Sequence, residues 1–172
     1  SQLRKIIVKD LALAVLVILL FIIVILGIWF QNLVKALFAI LPVFIGILST
    51  LGIMSILDME LHYLNIIALP MIVGIGVDSG IHLIQRYYEN DSLDLRSTVV
   101  GTGRAVVITS LTTIFGFGSL ALANYQAIRD LGIVSIIGVG TTLIASLVLV
   151  PCLLSLTQKL VAVVGGVGDD LE

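Results

Sequence analysis

An all-α fold, a polytopic membrane bundle of five transmembrane helices, is what this sequence predicts, and three observations carry the prediction. The chain of 172 residues is 59% hydrophobic and only 12% charged, against about 45–50% and about 25% in soluble domains. Its mean hydropathy is +1.23. Five apolar runs each reach the roughly 20 residues that a spanning helix needs, and most of the charged side chains fall between those runs or at their ends.

The first run covers residues 11–30 and contains no polar side chain except the indole of Trp29, so it is expected at the bundle periphery, facing lipid. Arg4, Lys5, Lys9 and Asp10 precede it as an interfacial collar, and Trp29 suits the opposite interface. The second, residues 33–57, is interrupted by Pro42, Gly46 and Gly52, which a membrane helix tolerates where neighbours re-satisfy the freed backbone. Asp58, Glu60, His62 and Tyr63 form a short polar connection, read as solvated loop polarity rather than a metal site. The third run, 64–87, holds Asp78. Asp91 or Ser92 in the polar stretch that follows is placed to cap a short interfacial helix. The fourth and fifth runs cover 102–123 and 131–156, the last with Gly132, Gly138, Gly140 and Pro151. One transmembrane unit is thus expected over residues 1–160, with a glycine-rich, then acidic, disordered tail at 161–172.

A net charge of -2 gives no case for nucleic acid, and the single Cys152 makes neither an internal disulfide nor a CxxC site. There is no GxxxxGK[ST] loop. Gly74-Ile-Gly-Val-Asp78-Ser-Gly80 is not a dinucleotide fingerprint, because the third glycine comes one position late and no strand precedes it. No nucleophile, base and orienting group are arranged for hydrolysis, so neither an enzyme nor a resident cofactor or metal is expected. The chain begins with Ser1 rather than Met, so an excised or processed piece is expected, and Leu171-Glu172 is set aside as a cloning remnant.

Asp78 is the exception to the apolar pattern. About ten residues separate it from the Arg86–Tyr88 end of its run, roughly 15 Å at 1.5 Å per residue, close to mid-bilayer. A charged aspartate there costs at least a few kcal/mol, and an acid that gains and loses a proton inside a membrane is what a proton relay needs. In the fourth run Thr109, Thr112, Thr113 and Gly116 fall at i, i+3, i+4 and i+7 and so share a helix face, at a depth that matches Asp78. His82 lies one turn from Asp78 and extends the relay. Gly74, Gly76, Ser79, Gly80 and Gly116 are small enough to let helices approach closely around it.

Of the nine Lys and Arg, Lys35, Arg86, Arg96, Arg104 and Lys159 fall on one side and Arg4, Lys5, Lys9 and Arg129 on the other. That balance gives no orientation unless residues 1–10 end a large translocated domain. The first group then marks the cytoplasmic side.

Two stretches carry a resemblance. Gly74-Ile-Gly-Val-Asp78-Ser-Gly-Ile-His82-Leu-Ile-Gln-Arg86-Tyr87 resembles the fourth-helix motif of the resistance-nodulation-division (RND) superfamily. Thr102-Gly-Arg104-Ala-Val-Val-Ile-Thr109-Ser-Leu-Thr112-Thr113-Ile-Phe-Gly116-Phe-Gly118 is similar to the start of that superfamily's next helix. The likeness is to the branch of MmpL-like, hopanoid-type and predicted lipid exporters, related to sterol-sensing proteins. It implies that the chain is helices two to six of a six-helix half, the C-terminal half of a longer protein, whose first helix, extracytoplasmic domains and N-terminal half lie outside it. It implies that Asp78 is the proton-translocating acid, with Ser79 where many relatives carry Tyr, Phe or a second Asp. It also implies a proton-motive-force-driven exporter of lipid-like or hydrophobic substrates in a bacterial inner membrane. The alternative is a sterol-sensing-like module that binds lipid without transport. Isolated from its partner half, the Asp78 face is expected to pair as a homodimer.

Overall fold

The computed structural model describes residues 2–59, 63–89 and 95–169. Five helices long and apolar enough to cross a membrane make up nearly all of them, and there is no strand among the described residues. The chain is an integral membrane protein. Its helices are α1 (Gln2–Phe30), α2 (Leu33–Ile56), α3 (Tyr63–Glu89), α4 (Leu95–Gly118) and α5 (Gln126–Asp169), with a 3₁₀ turn (Ser119–Leu122) between the last two.

From Leu11 to Phe30 the sequence of α1 is apolar all round, which leaves that stretch no preferred face. Leu13, Leu16, Leu20, Phe21, Ile28 and Trp29 are all exposed, and Leu26 alone of its described side chains is buried. It lies against α2 and α3 at the edge of the bundle, as expected of a lipid-facing span. The chain reverses over two residues. Gln31 takes a left-handed φ of 48°, and the Asn32 side chain caps α2 by accepting from the Val34 amide at 2.9 Å.

On α2 the buried positions Ala36, Ala39, Val43, Gly46, Thr50 and Met54 repeat at three and four residues, one stripe turned inward. That stripe meets α5, the helix that also touches α3 and α4 and forms the centre of the bundle. Small residues let the backbones close. A side-chain carbon at Gly80 would lie 2.5 Å from the Ala39 carbonyl oxygen, and one at Gly132 would strike the 3₁₀ turn at Ala121. Further along α5 Thr141 donates to the Gly46 carbonyl at 3.2 Å and lies 3.2 Å from the Thr50 hydroxyl. Such interhelical bonds add about 0.6 kcal/mol each in a membrane, so close van der Waals packing of α2, α3 and α5 supplies most of the cohesion. At the Lys35 end, the ammonium of Lys35 sits 3.6 Å from the centre of the Tyr88 ring, tying the start of α2 to the end of α3.

The boundaries of α4 and α5 differ from the sequence reading. No proline separates the segment after Leu95 from the apolar run that follows, so these residues form the first turns of α4 rather than a separate interfacial helix. Asp91 and Ser92, read as its cap, lie outside the described residues, as do Glu60 and His62. At the other end α4 gives way at Gly118, and Ser119 donates back to the Gly116 carbonyl at 2.7 Å as the chain tightens into the 3₁₀ turn that rests on Gly132. α5 begins at Gln126 and extends to Asp169, past residue 160, where the apolar unit was expected to end.

Candidate intramembrane acid site

The packing of α3 decides where Asp78 points. Its buried residues, among them Ile72, Val73, Val77, Leu83, Ile84 and Tyr87, turn toward α2 and α5. What remains is a stripe at four-residue spacing, Gly74, Asp78, His82 and Arg86, and all four are exposed. Asp78 lies ten residues after Ala68 and eleven before Glu89, the limits of the apolar stretch, and so at mid-span.

Beside this stripe α3 and α4 part to leave a groove of about 400 Å³. Ile75, Asp78, Ser79 and His82 line it from α3, and Thr102, Ala105, Val106, Thr109, Ser110 and Thr113 from α4. The sequence-derived set divides here. Asp78, Ser79, His82, Thr109 and Thr113 come together in one groove. Thr112 does not join them. At 100° per residue it falls about 90° from the centre of the lining stripe of α4, and its exposed hydroxyl donates to the Thr109 carbonyl at 2.7 Å. Gly76 and Gly80 pack behind the groove, Gly76 against Thr142 and Val43, Gly80 against Ala39. Gly74 and Gly116 have no atom within 4 Å of where a side chain would begin.

Sequence reasoning missed Ser110 and Thr102. Ser110 is 4% exposed, at the edge of the groove where α4 turns toward its neighbours. The spacing 102, 106, 109, 113 was available as a signal, and it selects the side of α4 that Thr112 leaves.

Donors and acceptors show what the groove can hold. Thr109 gives its proton to the carbonyls of Ala105 and Val106 at 3.2 and 3.0 Å, and Thr113 gives its own to Thr109 at 3.0 Å. With those protons committed, the oxygens present lone pairs to the groove. Among the described residues no hydrogen bond reaches the Asp78 carboxyl, and His82, one turn away, is near enough to act on it electrostatically. Acceptor oxygens of this kind suit a protonated carboxyl, which has an O–H to donate, better than a carboxylate, which has none. Among the described residues no three His, Cys, Asp or Glu converge to hold a metal.

A five-helix membrane unit with an acid at mid-span, on a groove of hydroxyls, is a polytopic membrane protein, and the comparisons give its family. The sequence matches the MMPL family over residues 1–165, and the chain belongs to that family; two of its relatives, HpnN and MmpL1, are RND-type transporters. It is 33% identical over 144 residues to a putative membrane protein of Methanocaldococcus jannaschii, covering 80% of this chain and 37% of that one. It is 30% identical over 115 residues to the hopanoid transporter HpnN of Rhodopseudomonas palustris, covering 67% of this chain and 13% of that one. Similarity to the probable transport protein MmpL1 of Mycobacterium tuberculosis is 30% over 118 residues, 65% of this chain and 12% of the relative. The chain thus spans little more than a third of the first of these relatives and about an eighth of the other two. No solved structure matches it.

Proposed function

We propose that the chain is the membrane portion of a proton-driven exporter of lipid-like or hydrophobic substrates, and that Asp78 takes up and releases the driving proton. The observation that carries this reading is the groove itself, with an ionisable acid at mid-span facing hydroxyl oxygens of a neighbouring helix. Neutral Asp78 can donate to Thr109 or Thr113 and draw α4 toward α3. Ionised, it loses that donor and meets only lone pairs, so the groove loosens. His82 passes the proton along α3, and Ser79, next in sequence, supplies a further hydroxyl.

Energetically the step is sufficient. A proton moving down 100 mV releases about 2.3 kcal/mol, which shifts a two-state equilibrium roughly fifty-fold. The hydrophobic-substrate class follows the hopanoid transporter among the relatives. The exposed stripe of Asp78 and His82 is costly to leave in lipid, and the unit proposed to cover it is a second five-helix bundle. In a parent protein of the length of the relatives that is the other half; for the isolated chain it is a second copy.

Coupling tests the reading. In vesicles containing the full-length protein and a pH gradient, adding a transported lipid should speed the collapse of the gradient in proportion to the lipid moved. Transport with no proton flux would overturn it, and lipid binding with neither would favour a lipid-binding module.

A further inference from the structure

We infer that the groove is a half-channel. Water reaches Asp78 from the end of the bundle that carries Lys35, Arg86, Arg96, Arg104 and Lys159, and is shut out from the other end.

The groove is not symmetric about the acid. Toward the basic end, α3 supplies His82 and then, a turn further, Arg86, while Gln85 and Glu89 bond to each other at 2.8 Å. On that side α4 supplies Thr102, seven residues from its start at Leu95. Seven residues is about 10 Å, two turns of helix; α4 adds the apolar Ala105 and Val106 between Thr102 and the level of Asp78, and toward the end Val99 and Leu95 are half-buried, while α3 continues polar with Gln85, Arg86 and Glu89. Toward the other end the lining is Ile75 and Thr113. Beyond them the same faces carry Met71 on α3 and Phe117 on α4, both half-buried. From Ile75 back to the start of α3 at Tyr63 is twelve residues, about 18 Å. A buried water needs two to four polar partners. Past Ser79 and Ser110 the basic side offers the His82 imidazole and the Thr102 hydroxyl, and beyond Thr113 the described side chains on these faces, Met71 and Phe117, offer none.

Among the described residues that line the groove His82 is the titratable group beside Asp78, and the polar groups that α4 contributes are hydroxyls. The lateral opening leads to lipid or to a second bundle, neither of which supplies bulk water. Five Lys and Arg lie at the basic end against Arg4, Lys5, Lys9 and Arg129 at the other; the basic end is taken as cytoplasmic, as the resemblance implies. On that orientation the structure is an inward-facing state. A proton arriving from outside requires an opening past the level of Met71 and Phe117, by movement of α4 against α3.

The inference bears on the proton reading of Asp78 but is measured separately from it. In full-length protein carrying Cys152→Ser, single cysteines are placed by Thr102→Cys, Ala105→Cys, Met71→Cys and Phe117→Cys. Membrane vesicles of each sidedness are then exposed to a charged, membrane-impermeant thiol reagent. Cysteines at 102 and 105 should react from the cytoplasmic side and not from the other, and those at 71 and 117 from neither. Reaction at 105 from the outer side, reaction at 117 faster than at 105, or no reaction at 102 and 105 from either side would overturn the half-channel. If the labelling holds while substrate moves without proton flux, the half-channel stands and the proton role of Asp78 falls.

Discussion

Asp78→Asn in the full-length protein should abolish transport while leaving the folded protein in the membrane. Asparagine matches aspartate in size and can still accept and donate hydrogen bonds, but it cannot exchange a proton. A purely structural Asp78, pinning α3 to a hydroxyl of α4, would be replaced by asparagine at little cost. A proton-exchanging Asp78 would not. Stability moves the other way: a neutral amide at mid-span avoids the penalty of at least a few kcal/mol for a charge at that depth, so thermal unfolding in detergent should be unchanged or raised. Substrate export measured beside that unfolding curve separates the cases. Export at the parent rate would remove Asp78 from the mechanism.

The second large effect concerns the frame rather than the groove. Gly80→Val should strongly destabilise the bundle. A carbon on Gly80 would stand 2.5 Å from the carbonyl oxygen of Ala39 and 3.1 Å from its α carbon. These are backbone atoms, which no change of rotamer can move, so α2 and α3 must separate and give up the packing of Ala39, Val43 and Leu83. Overpacking typically costs about 1–3 kcal/mol, and a β-branched side chain against backbone belongs at the upper end of that range or beyond. Gly74→Val is the matched comparison. Nothing lies within 4 Å of that position, so the five-helix unit should unfold at the same denaturant concentration as the parent. Equal stability of the Gly80 and Gly74 variants would contradict the close α2–α3 contact.

How much of this could be read from residues alone depended on which neighbours a claim involved. Counting along one helix placed Asp78 at mid-span, and the bare apolarity of α1 placed it at the edge; both hold because they involve a single helix and its solvent. The Gly76-x-x-x-Gly80 pair was legible as a close approach, but not that it faces α2 and α5, away from the groove. That depends on which helices crowd around α3. The threonines of α4 illustrate the limit most clearly. Thr109, Thr112 and Thr113 share a broad face by spacing, yet the groove takes Thr109 and Thr113 and leaves Thr112 out, because α4 is turned by its packing against α5 and α3. The same packing brings in Thr102, which the spacing 102, 106, 109, 113 could have signalled, and Ser110, which it could not. The start of α4 at Leu95 was hidden because charged first turns look like a loop when apolarity is the guide to a span.

The account rests on a carboxyl that changes protonation inside the membrane, and infrared difference spectroscopy observes that event directly. Full-length protein in lipid, stepped between acidic and alkaline pH, should show a protonated-carboxyl carbonyl band that comes and goes reversibly, and Asp78→Asn should delete that band and leave the amide bands in place. A difference spectrum that is the same in the parent and in Asp78→Asn would show that Asp78 does not exchange a proton and would contradict the account.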